Sequence, residues 1–488
     1  MVAVLMCAYS ICIQSRDQVP FKLTIGGQCL RGDGVFSVVN PATEEVVAEA
    51  PAASHDDLEN AIAAAADAYA PWAALPDRRP FLRECARCLQ RQAVPLAKLL
   101  TQEQGKPYRE ALEELMGAVQ TFRHWAEWPL PEPEVIATDG GRVTVSRRPL
   151  GVVAAITPWN YPVILAAWKI APALLAGNTV VLKPSPFTPL TTLQIGAIFR
   201  EVLPAGVLNV ISGDDDLGAA LSSHPSVRKV SLTGSTATGK AVARGAADEL
   251  KRITLELGGN DAAIVLADVD PAKVAVAIFW SAFKNCGQVC LAIKRLYVHE
   301  GVYEPLVREL VEIAKSVRVG NGLDPSTQLG PLNNAPQLAR VRSLVEDAQN
   351  RNAVILAGGS PLPGPGYFFA PTLVAGLDEA APLVATEQFG PVLPILRFRD
   401  ADEALARANA TDFGLGGSIW SANTERALAL ASRLECGAVW INRHGLTNPG
   451  VPLGGLKSSG LGYENGRAGY EEYTIAQTLY VPDVEGVS

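Results

Sequence analysis

The fold is decided by the runs Gly151-Val-Val-Ala-Ala-Ile-Thr157, Asn178-Thr-Val-Val-Leu-Lys-Pro-Ser185, Val207-Leu-Asn-Val-Ile-Ser212, Lys229-Val-Ser-Leu-Thr-Gly-Ser235, Ile253-Thr-Leu-Glu-Leu-Gly-Gly259 and Ala262-Ala-Ile-Val-Leu-Ala-Asp268. Each is a short apolar stretch, and helical patterns separate them. Such alternation is the βαβ signature of a parallel sheet. A second α/β series follows from about residue 260, with strands expected at 295–299, 353–359 and 438–442. No repeat of fixed period is present.

Working outward, Ser54 and Asp57 make a capping-box pattern at the head of an Ala-rich helix. Helical stretches are expected around 77–103 and 108–127, before Pro129, Pro131 and Pro133 break the chain. Residues 141–151 alternate apolar and polar, as an exposed strand does, and the tail 470–482 alternates again and is a candidate to pair with it.

Of the 488 residues, 48% are hydrophobic and 19% charged, which fits a well-buried globular enzyme of roughly two to four domains. The net charge is −8 with Lys and Arg dispersed, a poor match for nucleic acid. Eight cysteines in so large a chain suit a reducing cytoplasm, and Cys85-x-x-Cys88 reads as two helix cysteines. The five histidines are isolated, so no metal site is expected. The first 13 residues are apolar but too short for a membrane span and lack the basic start of a signal peptide, so 1–19 reads as a loosely packed extension.

The chemistry-bearing residues sit at the ends of these runs. Cys290, in Asn285-Cys-Gly-Gln-Val-Cys290, follows a turn and precedes an expected helix start and strand. A thiol near a helix N-terminus or a cationic cofactor ionises more readily. Glu256 lies where a strand meets Gly258 and Gly259, suited to a general base. Asn160, held in Thr157-Pro-Trp-Asn-Tyr-Pro162, offers an amide to an oxyanion. Lys183 ends a strand and suits ribose or phosphate. Gly234 and Ser235, between a strand and a helix, suit a pyrophosphate, although the G-x-G-x-x-G spacing is absent.

These motifs, followed by Glu387-Gln-Phe-Gly-Pro-Val392 and Gly454-Gly-Leu-Lys-Ser-Ser-Gly460, occur in one order along one chain. From about Phe21 to Pro482 the sequence resembles the aldehyde dehydrogenase superfamily. The resemblance implies an α/β fold with a Rossmann-type cofactor domain (20–130 and 150–258), an α/β catalytic domain (259–465) and a β oligomerisation flap (131–149 and 466–488). It implies an NAD(P)-dependent oxidation of a small-molecule aldehyde to a carboxylic acid by a homodimer or homotetramer, with no nucleic-acid or membrane partner.

By the same resemblance Cys290 is the nucleophile, Asn160 with the Cys290 N–H the oxyanion hole, and Glu256 the base that activates water. Lys169 and Glu464 belong to a proton path. Lys183, Gly234, Ser235, Glu387 and Phe389 hold the dinucleotide, and Thr157, Trp159, Ser185, Pro186 and Leu257 line its cleft. Pro186 stands where many NAD-preferring members have Glu; NAD comes first as cofactor, with NADP open. Tyr161, Trp168, Val289 and Leu291 match pocket positions, and His444 is a candidate to meet a polar substrate tail. The alternatives are a CoA-acylating semialdehyde dehydrogenase and a catalytically silent binding protein; Glu256 argues against the first, intact Cys290 and Asn160 against the second.

Overall fold

A computed structural model describes residues 21–138 and 141–482; the N-terminal extension lies outside them. The apolar runs between Gly151 and Glu256 form the centre of an eight-stranded sheet. In spatial order, Leu208–Val210, Thr179–Lys183, Val152–Ile156, Val227–Thr233 and Arg252–Glu256 are all parallel. The chain starts at Val152–Ile156, builds outward on one side, then returns to build on the other. Strand order therefore reverses beside Val152–Ile156, and the carboxyl ends of the strands at such a reversal are where open α/β sheets bind ligands.

The helix Pro162–Ala176 packs on this sheet. Pro162 starts it, and Gly177, at φ 98°, ends it. The Ser54–Asp57 capping box is formed, with Asp57 N donating to Ser54 Oγ and Ser54 N to the Asp57 carboxylate. The stretch expected as one helix over 77–103 is two, Arg79–Arg91 and Ala93–Gln104. Pro95 has no N–H for the Arg91 carbonyl, so one ladder cannot run through.

A second, seven-stranded sheet runs Val354–Ala357, Thr372–Ala375, Val392–Phe398, Ile293–His299, Asp261–Val265, Gly416–Trp420, Ala438–Ile441, parallel except for the first pair. Gly460–Leu461 crosses back to pair antiparallel with Leu255 and Glu256 of the first sheet, which fixes one sheet's edge to the other's chain. The tail does pair with the strand near 145: Thr474–Pro482 lies antiparallel on Gly141–Pro149, which pairs with Glu134–Thr138. This small sheet leaves Val135, Ile136, Leu479 and Tyr480 exposed. Among the described residues no helix is long and apolar enough to cross a membrane.

Candidate active site

Glu256 is the last residue of its strand and is buried. The glycines after it are required by space. A Cβ on Gly258 would stand 2.3 Å from Glu387 Oε2, and one on Gly259 would stand 2.5 Å from the Cys290 carbonyl oxygen. The Gly pair thus lets the nucleophile loop and the Glu387 carboxylate close on the strand end that carries Glu256.

The nucleophile loop leaves the helix Pro271–Phe283 through three consecutive residues at positive φ: Asn285 (50°), Cys286 (57°) and Gly287 (69°). Only glycine fits the third, because a Cβ there would meet the Gly390 carbonyl oxygen at 2.2 Å. Cys290 then sits in a turn ahead of the strand Ile293–His299. The helix start expected after it is absent, so the sulfur does not sit at the head of a helix of its own segment. Burial pushes the Cys290 thiol up to about 12, against the pull of Lys294 and with further push from Glu256, Glu387 and Asp261.

Asn160 is buried, and its side-chain amide donates to the Gln288 carbonyl at 2.9 Å, which brings it to the nucleophile loop. Its own carbonyl accepts from Lys106 Nζ at 2.8 Å and from Asn285 Nδ2 at 3.1 Å. Lys106 is fully buried, paired with Glu114 at 2.5 Å, and stacked over the Tyr161 ring at 3.6 Å. Glu114 in turn accepts from the Val163 and Ile164 amides at the start of the next helix. This buried pair was not read from the sequence.

Lys169 and Glu464 meet at 2.5 Å inside the protein, and Ser231 Oγ lies 3.1 Å from each. Burial raises the Glu256 carboxyl well above the usual range; Glu464 adds to this and Lys169 opposes it. Glu256 Oε1 and Glu464 Oε2 are buried without hydrogen-bond partners, so both carboxyls keep a free acceptor.

Lys183, at the end of its strand, makes no ion pair among the described residues, and burial lowers its pKa. Thr157 Oγ1 and Thr233 Oγ1 are likewise buried without partners. Ser235 caps the helix Thr236–Ala247 by accepting from Thr238 N at 3.1 Å. The Gly234 amide is committed to the Glu256 carbonyl at 3.0 Å, so the first-turn amides of that helix, rather than Gly234, are the donors left for an anion. Leu257 is buried against Gly239 of this helix, and Ser185 and Pro186 are half-buried at the groove edge. Glu387 Oε1 accepts from Gly259 N at 3.0 Å, and Phe389, at φ 49°, meets Trp159 edge to face at 5.3 Å. An unpaired buried ammonium, orphan hydroxyls and an open helix N-terminus along one groove fit a dinucleotide.

Trp168, Val289 and Leu291 cluster beside Cys290, joined by Leu415, Leu453, Ala438 and Trp440, which sequence reading missed. His444 is a correction. Its side chain is fully buried, with Nδ1 2.9 Å from Ser418 Oγ and Nε2 3.3 Å from Asp261 Oδ2. The ring anchors its loop inward instead of meeting a substrate tail. Lys294 was also missed; the Lys294-Arg295 pair inside the otherwise mostly apolar run 291–298 was its only signal.

The chain is similar to known proteins over nearly its whole length. The model of the aldehyde dehydrogenase family matches residues 30–479. A Pseudomonas protein named "Probable aldehyde dehydrogenase" is 42% identical, covering 94% of both chains. Phenylacetaldehyde dehydrogenase of Pseudomonas fluorescens is 38% identical, covering 95% of this chain and 96% of its own. The NAD+ complex of a Bacillus cereus aldehyde dehydrogenase superposes with a TM-score of 0.93 at 35% identity, over 95% of this chain and 96% of that one.

Proposed function

Because the chain belongs to the aldehyde dehydrogenase family and oxidises an aldehyde to its acid with NAD(P)+, we propose that Cys290, Asn160 and Glu256 carry the chemistry. The convergence of these three at the ends of the two sheets supports this reading above all.

In the first step the Cys290 thiol passes its proton to the Glu256 carboxylate and a carbon–sulfur bond forms. The carbonyl oxygen becomes an oxyanion, which the Asn160 side-chain amide and the Cys290 N–H hold. Loss of one such donor costs about 2.7–4 kcal/mol of barrier. When bound, NAD(P)+ supplies the hydride acceptor, and the carbon is left on sulfur as a thioester. Glu256 first gives up the thiol proton, and then takes one from water as the water oxygen attacks the thioester; the carbon–sulfur bond breaks, the Cys290 sulfur departs as thiolate and the acid leaves. Lys169 and Glu464, with Ser231 between them, carry the proton away. Lys183, the first-turn amides beyond Ser235 and Glu387 would hold the dinucleotide. With Pro186 at the groove edge no carboxylate there repels a 2′-phosphate; NAD remains the first candidate.

The walls around Cys290 (Trp168, Val289, Leu291, Leu453) are apolar and aromatic, which favours medium aliphatic or aromatic aldehydes. The exposed apolar residues of the small sheet favour a homodimer or homotetramer built through it, and the few cysteines favour the cytoplasm. A panel of aldehydes assayed with both cofactors, with and without CoA, tests the reading. Free acid from apolar aldehydes is expected; acyl-CoA in its place, or a preference for small charged aldehydes, contradicts it.

A further inference from the structure

Lys294 is almost wholly buried, and its ammonium is held by two hydrogen bonds and an ion pair. Nζ donates to the carbonyls of Val289 and Cys290, each at 2.7 Å, and lies 3.3 Å from Glu387 Oε1. The other end of the residue is fixed too. Its carbonyl accepts from Gln388 Nε2 at 3.0 Å, and that amide also reaches the Val392 carbonyl at 2.9 Å. One side chain therefore ties the backbone on both sides of the Val289–Cys290 bond to the carboxylate that lies across the cleft.

The groups that face the sulfur are mostly acidic. Glu256 comes from the end of its strand, Asp261 from the start of the next, Glu387 from the loop before Val392–Phe398, and the Tyr161 phenol from the head of its helix. Against these acidic groups, Lys294 is the leading cation acting on the thiol. No helix begins at Cys290 itself, whose segment runs from a turn into the strand Ile293–His299.

We propose that Lys294 is the positioning residue of the nucleophile: it clamps the Val289–Cys290 turn against Glu387 and supplies the positive charge that keeps the sulfur reactive before a cofactor enters. The proposal rests on Cys290 being the nucleophile.

The test is alkylation by iodoacetamide at pH 8 without cofactor, with the labelled cysteine located by peptide mass spectrometry. Below the thiol midpoint, each unit of upward shift removes tenfold of the thiolate. The rest gains nucleophilicity with a Brønsted slope of about 0.4, which leaves a net loss of about fourfold per unit. Lys294→Met should slow Cys290 labelling at least fourfold and lower kcat/KM with it, while Lys294→Arg stays within about twofold of wild type. Lys294→Gln, one atom shorter, keeps an N–H donor for the carbonyls while losing the charge, so it serves as the neutral variant if the Met variant does not fold. A folded neutral variant whose Cys290 is labelled at the wild-type rate overturns the proposal. If the wild-type label falls on Cys286 instead, the assignment of the nucleophile fails.

Discussion

Replacing Gly259 with Ala tests how tightly the site is assembled. Gly259 is not held at a positive φ, so alanine is tolerated by its backbone and the effect is one of space alone. The new Cβ would lie 2.5 Å from the Cys290 carbonyl oxygen and 2.9 Å from Asp261 Oδ1. A carbon and a carbonyl oxygen rest no closer than about 3.3 Å, so the two segments must part by about 0.8 Å. What yields is backbone, and the backbone concerned is that of the nucleophile. Misplacement of a reacting group by about 1 Å costs on the order of a hundredfold in rate. We therefore expect kcat/KM for any good aldehyde to fall about a hundredfold, with cofactor affinity nearly unchanged. Steady-state kinetics, cofactor titration by fluorescence and a thermal melt measure the three quantities. A folded Gly259→Ala enzyme with wild-type kcat/KM would refute the argument that this glycine sets the distance between the strand and the nucleophile loop.

Gly258→Ala meets the tip of a side chain, Glu387 Oε2, so it should weaken cofactor binding more than it lowers kcat, read as a split between the cofactor KM and kcat. Glu256 keeps its proton to a higher pH than an ordinary carboxyl, and a protonated carboxyl cannot act as base; activity should therefore rise with pH beyond the usual carboxylate range. Glu256→Gln should remove that limb from the pH–rate profile and lower kcat by about 10²–10⁴. Lys106→Met leaves Glu114 charged and buried without its partner, and urea unfolding should show a loss of about 3–5 kcal/mol, most of it recovered in the double variant with Glu114→Gln. Ser54→Ala removes the first helix's cap and should cost about 1 kcal/mol by the same measurement, with activity unchanged.

The sequence made the central strands legible because each is a short apolar run closed by Gly, Pro or a polar residue, and the chemistry sits at those closures. Asn160, Lys183 and Glu256 stand at or beside such closures. The contacts that hold them were hidden because they join residues far apart in the chain. Lys106 reaches Asn160 across 54 positions, and Lys169 reaches Glu464 across 295. His444 misled for a related reason. Its neighbours Asn442 and Arg443 are exposed, so the segment reads as open loop, but the ring is turned inward to Ser418 and Asp261. The expected helix after Cys290 failed because the segment enters a buried strand, and Lys294 provides there the positive charge that a helix end would have supplied.

The account stands most directly on which sulfur holds the substrate. Wild-type enzyme turning over an aldehyde with NAD+ can be quenched in acid, digested and examined by mass spectrometry for the acyl group. An acyl mass is expected on the peptide carrying Cys290, absent from Cys290→Ala, which should also have lost turnover. An acyl mass on Cys286, or steady turnover by Cys290→Ala, would contradict it.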